Sequence, residues 1–452
     1  MSLPNPNSKT TLSKLDSKDP VGLVTDLSGT EEVSAENDPS HSRNFGLGVL
    51  YMVLMRVGWI FKTESIIMPA VLDVIGGSGW LRGCLPMLNR FGQSIPPLLA
   101  SDRIRNAPFK KYGLFCTTLT MGICFLALSL VWFVTNGAKT WWLPLIFLVI
   151  YGIFFASTGI NQLLLHTITG KLIRVLRRGM LSLLGTVFGA GIAVAVAWFL
   201  LPVWLTDEAE SGKPSSFGLI FAFTGSMFVG AAICALFLQE RPDIRHEKHR
   251  GVVELIRAFF ETLRMDKNFR MVAIIGALFG MYLTLFPHYQ RLGRDSLGLS
   301  LTALIPWVLA QNIGAALFSV PSGWIADRFG NRLVLRFSMF VLCIPPVMAL
   351  VLAQIDNVGS GWFTCVFCLL GLTPVVMRYM NNYTLEVCSP KDHPRYLSTL
   401  GLAMAAPPIL LSPLIGALID WVSFEFVFLI VIFCVFVGWI LTFRIQEPRH
   451  HR

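Results

Sequence analysis

From residue 46 to residue 444 the chain alternates long apolar runs with short polar connections. A helix needs about 20 apolar residues to cross the hydrocarbon core of a bilayer. Stretches of that kind fall at 46–71, 79–101, 112–135, 141–166, 180–204, 217–238, 269–291, 299–325, 332–354, 361–386, 395–420 and 423–444. The pattern predicts an all-α membrane protein with about twelve transmembrane helices. Prolines fall inside several runs: Pro69, Pro96, Pro97, Pro287, Pro306, Pro345, Pro346, Pro374, Pro407 and Pro408. Each removes a backbone donor and predicts a kink, which neighbouring helices make tolerable within a membrane.

The longest internal connection, 239–268, divides the runs into two sets of about six. Within it Val252, Leu255, Ile256, Phe259 and Leu263 recur at helical spacing, with Glu254, Arg257, Glu261 and Arg264 on the other face. That pattern predicts an amphipathic helix lying along the membrane surface. Residues 1–44 are polar, lack an apolar core and read as a disordered tail. No signal peptide is visible, and the first apolar run would act as its own insertion signal. The expected organisation is a tail (1–44), a first bundle (45–238), a linker (239–268), a second bundle (269–445) and a short tail (446–452).

Composition supports this picture. Hydrophobic residues make up 54% of the chain and charged residues 14%, whereas soluble proteins carry about 25% charge. The net charge of +10 would suit a nucleic-acid binder, but its placement gives another reason. Arg103, Arg105, Lys110 and Lys111, then Lys171, Arg174, Arg177 and Arg178, then Arg241 to Arg270, then Arg328, Arg332 and Arg336, then Lys391 and Arg395 occupy alternate connections. The intervening "TDEAESGK" (206–213) and "QIDNVGSG" (354–361) are acidic or nearly neutral. Basic connections collect on the cytoplasmic side, so both termini are expected in the cytoplasm, the protein in the plasma (inner) membrane, and no nucleic acid as partner. Most of the nine cysteines lie within apolar runs. Cys365 and Cys368 form a C-x-x-C with no second pair, so neither a metal nor a redox site is expected.

Two short stretches repeat. "LLASDRIRN" (98–106) follows the second span and "GWIADRFGN" (323–331) the eighth, which aligns Asp102 with Asp327, Arg103 with Arg328 and Asn106 with Asn331. "LSLLG" (181–185) opens the fifth span and "LSTLG" (397–401) the eleventh. Together they predict a parallel duplication, two pseudo-symmetric six-helix bundles. Such bundles, a long central loop and G-x-x-x-D-R-x-G-x-R between spans eight and nine resemble the major facilitator superfamily over roughly residues 45–445. Gly323, Asp327, Arg328, Gly330 and Arg332 stand on that family's signature loop. Asn331 replaces a position usually basic, and the first copy is degraded, with Leu98 and Arg105 in place of its glycines. Physically, the loop reads as a tight turn whose Asp suits a helix N-terminus and whose Arg suits a helix C-terminus. It can serve as a gate latch or as a static turn.

Ionisable and amide groups at membrane depth are candidate functional groups. The first span holds Arg56, Lys62 and Glu64; the second Asn89, Arg90 and Gln93; the fourth Asn161, Gln162 and His166; the eighth Gln311 and Asn312; the tenth Arg378, Asn381 and Asn382. At about 100° per residue Glu64 comes about 80° round from Arg56, on the same face, and Lys62 points elsewhere unless the helix unwinds before Pro69. His288 beside Tyr289 reads as an interfacial histidine. In the resembled family the first helix of each three-helix repeat lines a central cavity. The resemblance therefore implies cavity roles for Arg56, Glu64, Asn161, Gln162, Tyr282 and Arg378, with Arg90, Gln93, Gln311 and Asn382 nearby.

The buried balance is cationic, which suits an anionic or zwitterionic solute held by Arg, with Glu64 carrying a coupling proton. The structural alternative pairs Arg56 with Glu64 and lets Lys62 snorkel to the surface. The chain has no nucleotide-binding G-x-x-x-x-G-K-[ST] and no H-E-x-x-H or G-x-S-x-G. The leading expectation is a monomeric secondary transporter of a small solute, with or without H+, needing no cofactor and performing no enzymatic reaction. A non-transporting receptor or scaffold and a drug or metabolite efflux carrier stay open.

Overall fold

In hydrocarbon, backbone N–H and C=O groups must be satisfied within their own segment, so each apolar run becomes a helix. The computed structural model describes residues 39–205, 216–243, 252–355, 360–389 and 392–447. Ten stretches are long and apolar enough to cross a membrane: Lys110–Thr135, Leu143–Leu172, Arg177–Trp204, Phe217–Leu236, Lys267–Leu297, Leu301–Phe329, Asn331–Ala353, Gly361–Val387, His393–Trp421 and Phe424–Leu441. They are the third to twelfth of the expected spans. The first, formed by Pro39–Ile60 and Ile67–Val74, and the second, Gly79–Asn106, complete the set. Both carry charge along their length: Arg56, Lys62, Glu64 and Asp73 in one, Arg82 and Arg90 in the other.

The first helix begins at Pro39, inside the segment expected to be tail. Asn44 explains the difference. It is buried, its Nδ2 donates to Gln239 O at 2.9 Å, and its Oδ1 accepts from Gln239 N at 2.9 Å. Residues 1–38, 206–215, 244–251, 356–359, 390–391 and 448–452, and with them most of that tail and the acidic connection, lie outside the described residues.

The second half repeats this fastening. Gln446 N donates to Asn268 Oδ1 at 3.0 Å, so the seventh span is tied to the end of the twelfth as the first is to the end of the sixth. The following glutamates also correspond. Glu240 accepts from Lys171 Nζ at 2.7 Å and from Lys111 N at 2.8 Å, and Glu447 faces Arg332 Nε at 3.1 Å.

The linker does contain a helix, Val252–Met265. It docks on the second half, where Arg395 Nε donates to Thr262 Oγ1 at 2.6 Å. The side chains of 252–256 lie outside the described residues.

Prolines divide into two groups. Pro287, Pro345 with Pro346, and Pro374 start new helices, interrupting the seventh, ninth and tenth spans. At a first turn the missing N–H costs nothing. Pro96 and Pro97 in the second span and Pro407, Pro408 and Pro413 in the eleventh stay inside continuous helices. These two spans pack against each other across the halves. A Cβ on Gly79 or on Gly416 would strike the other's carbonyl oxygen, so only glycine permits this approach.

Candidate functional site

The first span breaks where its charge is concentrated. The helix stops at Ile60 and resumes at Ile67. Thr63 Oγ1 donates back to Ile60 O at 2.7 Å, and Thr63 O gathers the N–H groups of Ile66, Ile67 and Met68 at 3.4, 3.0 and 3.1 Å. Side-chain bonding of this kind competes with the helix ladder, and Pro69 then sits in the first turn of the next helix. Helical arithmetic between Arg56 and Glu64 therefore fails.

Lys62 turns inward instead of snorkelling. Its side chain is 1% exposed, with Nζ 2.7 Å from Glu64 Oε1. Nζ also lies 3.7 Å from the ring centre of Trp59 and 4.4 Å from that of Phe155, an aromatic setting that stabilises a desolvated cation by up to about 2 kcal/mol. Glu64 Oε2 accepts from Asn89 Nδ2, and Gln93 Nε2 donates to Asn89 Oδ1 at 2.6 Å. The Arg56–Glu64 pair considered from sequence is thus replaced by a Lys62–Glu64 pair.

Around this break lies a cavity of about 270 Å³ between the two halves. The first half contributes Arg56, Trp59, Lys62, Glu64, Ser65, Asn89 and Arg90; the second contributes Leu283, Phe286, Gln311, Asn312, Thr373 and Met377. The breaks in the seventh and tenth spans open onto the cavity through Phe286 and Thr373, consistent with the use of interrupted helices to build sites in transporters. Polar contacts bridge the halves here. Ser65 Oγ donates to Gln311 Oε1 at 2.6 Å, Arg56 Nη2 donates to Asn312 Oδ1 at 3.3 Å, and Arg90 Nη2 lies 3.6 Å from Met377 Sδ. Three cations and one carboxylate line the cavity. Lys62 is bonded to Glu64, and among the described residues no carboxylate is hydrogen-bonded to Arg56 or Arg90.

Arg56, Glu64, Arg90 and Gln311 line this one cavity together. Gln93 acts one residue back, through Asn89. Others lie outside the lining. Asn161 is buried within the first half, accepting from Tyr51 Oη at 3.0 Å and donating to Thr118 Oγ1 at 2.7 Å. Gln162 is exposed and Asn382 half-buried. Tyr282 is buried among Phe279 and Phe286. Arg378 is exposed one residue beyond Met377. The tenth span lines the cavity with Thr373, Pro374 and Met377, and Arg378, one turn beyond Pro374, is not among the lining residues.

At the end of the bundle opposite the basic connections, sequence reasoning missed a lock. Arg82 Nη1 donates to Asp73 Oδ1 at 2.6 Å, and its Nη2 reaches Asp420 Oδ1 at 3.4 Å in the second half. Gly79 N donates to Asp420 Oδ2 at 2.6 Å, and Gln290 Nε2 donates to Asp73 Oδ2 at 2.7 Å. Four spans from both halves meet there. The readable signal was Asp73 and Arg82 flanking the short connection between the first two spans. His288 is not interfacial but wholly buried, on the helix that brings Gln290 to this lock.

At the basic end, Gly330 ends the eighth span with φ +91°, a conformation that favours glycine. Arg332 Nη1 donates to Ile445 O at 3.1 Å and Arg336 Nε to Thr442 O at 3.1 Å, so both cations cover the carbonyl end of the twelfth span. Arg328 packs on Trp324 and Phe329. Gly323 is half-buried, while Asp327 and Arg103 are exposed. The side chain of Asp102 lies outside the described residues, so the two copies of the loop are not compared at that position.

Residues 294–452 match the sequence profile of the Major Facilitator Superfamily. No curated protein matches the chain. A variant of the nucleoside transporter NupG aligns over 89% of this chain and 100% of its own, at TM-score 0.69 and 14% identity. A POT family transporter in complex with 5-aminolevulinic acid covers 89% and 97% at TM-score 0.65 and 12% identity. The E. coli fucose:proton symporter FucP covers 90% and 100% at TM-score 0.54 and 15% identity. The whole chain thus has the major facilitator fold, and its C-terminal part the family's sequence pattern. It is an integral, multi-pass membrane protein.

Proposed function

We propose that this chain, with the major facilitator fold throughout and that family's sequence pattern over residues 294–452, is a secondary active transporter of a small organic anion. Transport proceeds by alternating access at the cavity between the halves. The single observation that carries the solute class is the pair Arg56 and Arg90, two cavity guanidiniums with no carboxylate bonded to them among the described residues, while Glu64 of the lining is already engaged by Lys62. A carboxylate or phosphate on the solute supplies the missing acceptor. The apolar walls of Trp59, Leu283, Phe286 and Met377 suit a compact carbon skeleton. The solutes named for the fold relatives differ from one another, so fold alone leaves the cargo to these residues.

Glu64 is the group placed to carry a coupling proton, since protonation would release Lys62 and Asn89 at the break in the first span. The basic connections face the cytoplasm together with both termini, in the plasma (inner) membrane, and the Asp73–Arg82–Asp420 lock closes the outer end. The loop at 323–332 acts as an inner gate. The working unit is a monomer.

The test is uptake into proteoliposomes under an imposed pH gradient. Organic anions, but not neutral sugars or organic cations of similar size, accumulate. Glu64→Gln abolishes gradient-driven accumulation and spares exchange. Uptake of neutral or cationic solutes in preference to anions rejects the solute class, and unchanged accumulation by Glu64→Gln removes Glu64 from coupling.

A further inference from the structure

A second, smaller pocket lies at the basic end, outside the cavity, where the start of the first span meets the start of the fifth. It encloses about 40 Å³, room for a phosphate-sized group rather than a whole solute. Its polar walls are His41, Ser42, Arg174 and Arg177, and no carboxylate lines it. Arg178 is committed elsewhere. It donates from Nε to Ile173 O at 2.9 Å and from Nη2 to Gly170 O at 2.5 Å, fastening the end of the fourth span. Arg174 and Arg177 are not so engaged among the described residues, and Arg174 Nη2 is buried without any acceptor. A buried charged donor left without a partner is destabilising, so a bound acceptor would relieve a standing deficit.

The backbone adds to this field. The helix Pro39–Ile60 places His41 and Ser42 in its first turn. The next wall is the start of Val175–Trp204, whose flanking residue Arg174 provides no side-chain cap. The N–H groups of Arg177 and Arg178 already donate to Arg174 O at 3.0 and 3.1 Å, so the helix starts contribute chiefly the positive ends of their dipoles, which favour anions. The pocket is also at headgroup level, because just beyond it Met180, Leu183, Val187 and Phe188 turn exposed apolar side chains outward along the fifth span. Basic pockets between membrane helices on this side suit lipid phosphates.

We propose that this pocket is a binding site for a phosphate-bearing anion, held by Arg174 and Arg177 with Ser42 Oγ as a further donor. A phospholipid headgroup and free phosphate share that chemistry, and the experiment separates them. Thermal unfolding of the purified full-length chain in uncharged detergent is followed with added phosphatidylglycerol, phosphatidylcholine or inorganic phosphate. Phosphatidylglycerol raises the midpoint, and the double variant Arg174→Gln with Arg177→Gln needs about thirtyfold more lipid for the same shift, at roughly fivefold per arginine. Arg257→Gln with Arg264→Gln, which removes equal charge from the linker helix, leaves the response unchanged. An equal, variant-sensitive response to inorganic phosphate assigns the site to the free ion. No shift with either ligand, or equal weakening by both double variants, overturns the proposal. Arg177→Gln alone, at an exposed side chain, decides the matter if the double variant does not fold.

Discussion

The two halves share their fastenings and differ in their chemistry. At the basic end each closes the same way: Asn44 with Gln239 and Glu240 with Lys171 in the first, Asn268 with Gln446 and Glu447 with Arg332 in the second. At the cavity the likeness ends. The first half supplies every charged lining residue, Arg56, Lys62, Glu64 and Arg90, while the second supplies Gln311, Asn312, Thr373, Met377 and apolar rings. A duplicated scaffold can keep the contacts that hold each bundle together while its two central faces diverge. In the function proposed above, one face carries recognition and coupling, and the other covers and orients.

The largest expected effect tests the charged face. Lys62→Met removes the cation bonded to the partly buried Glu64 carboxyl, which costs about 3 kcal/mol of stability. Thermal unfolding measures the loss, and adding Glu64→Gln restores most of it. Gln311→Met, on the neutral face, costs only about 1–2 kcal/mol, the value of an ordinary buried hydrogen bond. Equal losses would erase the contrast between the faces.

Next comes the lock where the halves meet. Arg82→Gln weakens the ties to both Asp73 and Asp420 and favours opening at that end. Cys84, buried two residues away, reports it: its rate of reaction with a maleimide rises about thirtyfold for a loss of ~2 kcal/mol. An unchanged rate would show that the glycine contact between the second and eleventh spans closes this end unaided.

The shared fastenings predict a smaller, graded pair of effects. Glu240→Gln and Glu447→Gln each destabilise their own half by about 1–3 kcal/mol. The loss is larger at Glu240, whose side chain is 0% exposed against 10% for Glu447. The reverse order would mean that the fastenings are not equivalent.

The smallest effect is a pH dependence at the end of the sixth span. The hydrogen bond from Lys110, with help from Lys171, holds the half-exposed Asp243 carboxylate below its ordinary value of 3.8. A depressed value stabilises the folded state above 3.8 and loses that contribution as pH falls through the lower folded value. Hydrogen-exchange protection at this end of the first half, taken relative to the intrinsic rate at each pH, therefore falls below pH 3.8, and Asp243→Asn removes that change.

Most of the architecture was legible because bilayer thickness imposes one length on every span. Prolines told less. Pro374 starts a new helix at the cavity, whereas Pro96 and Pro97 stay within an unbroken one, and a neighbouring span rather than the proline itself decides which. The site was partly legible for the same reason. Arg56, Glu64, Arg90 and Gln311 stood out as polar groups at membrane depth. Lys62 was misplaced because helical periodicity assumes a helix, and Thr63 ends it. Arg378 was expected inside because its span lines the cavity, but the lining from that span ends at Met377. Asn161 was equally conspicuous and proved to be a packing hub for Tyr51 and Thr118. The lock was invisible because Arg82 and Asp420 stand 338 residues apart, and no local pattern joins them.

The central claim is that the first half selects an anion. Initial rates of anion uptake by matched proteoliposomes test it most directly, comparing Arg56→Gln with Arg90→Gln against Gln311→Ala with Asn312→Ala. The arginine pair, at about 2 kcal/mol for each lost charge-assisted bond, lowers kcat/KM about a thousandfold, whereas the amide pair lowers it about tenfold. Equal losses in the two variants, or anion uptake that survives removal of both arginines, would contradict the account.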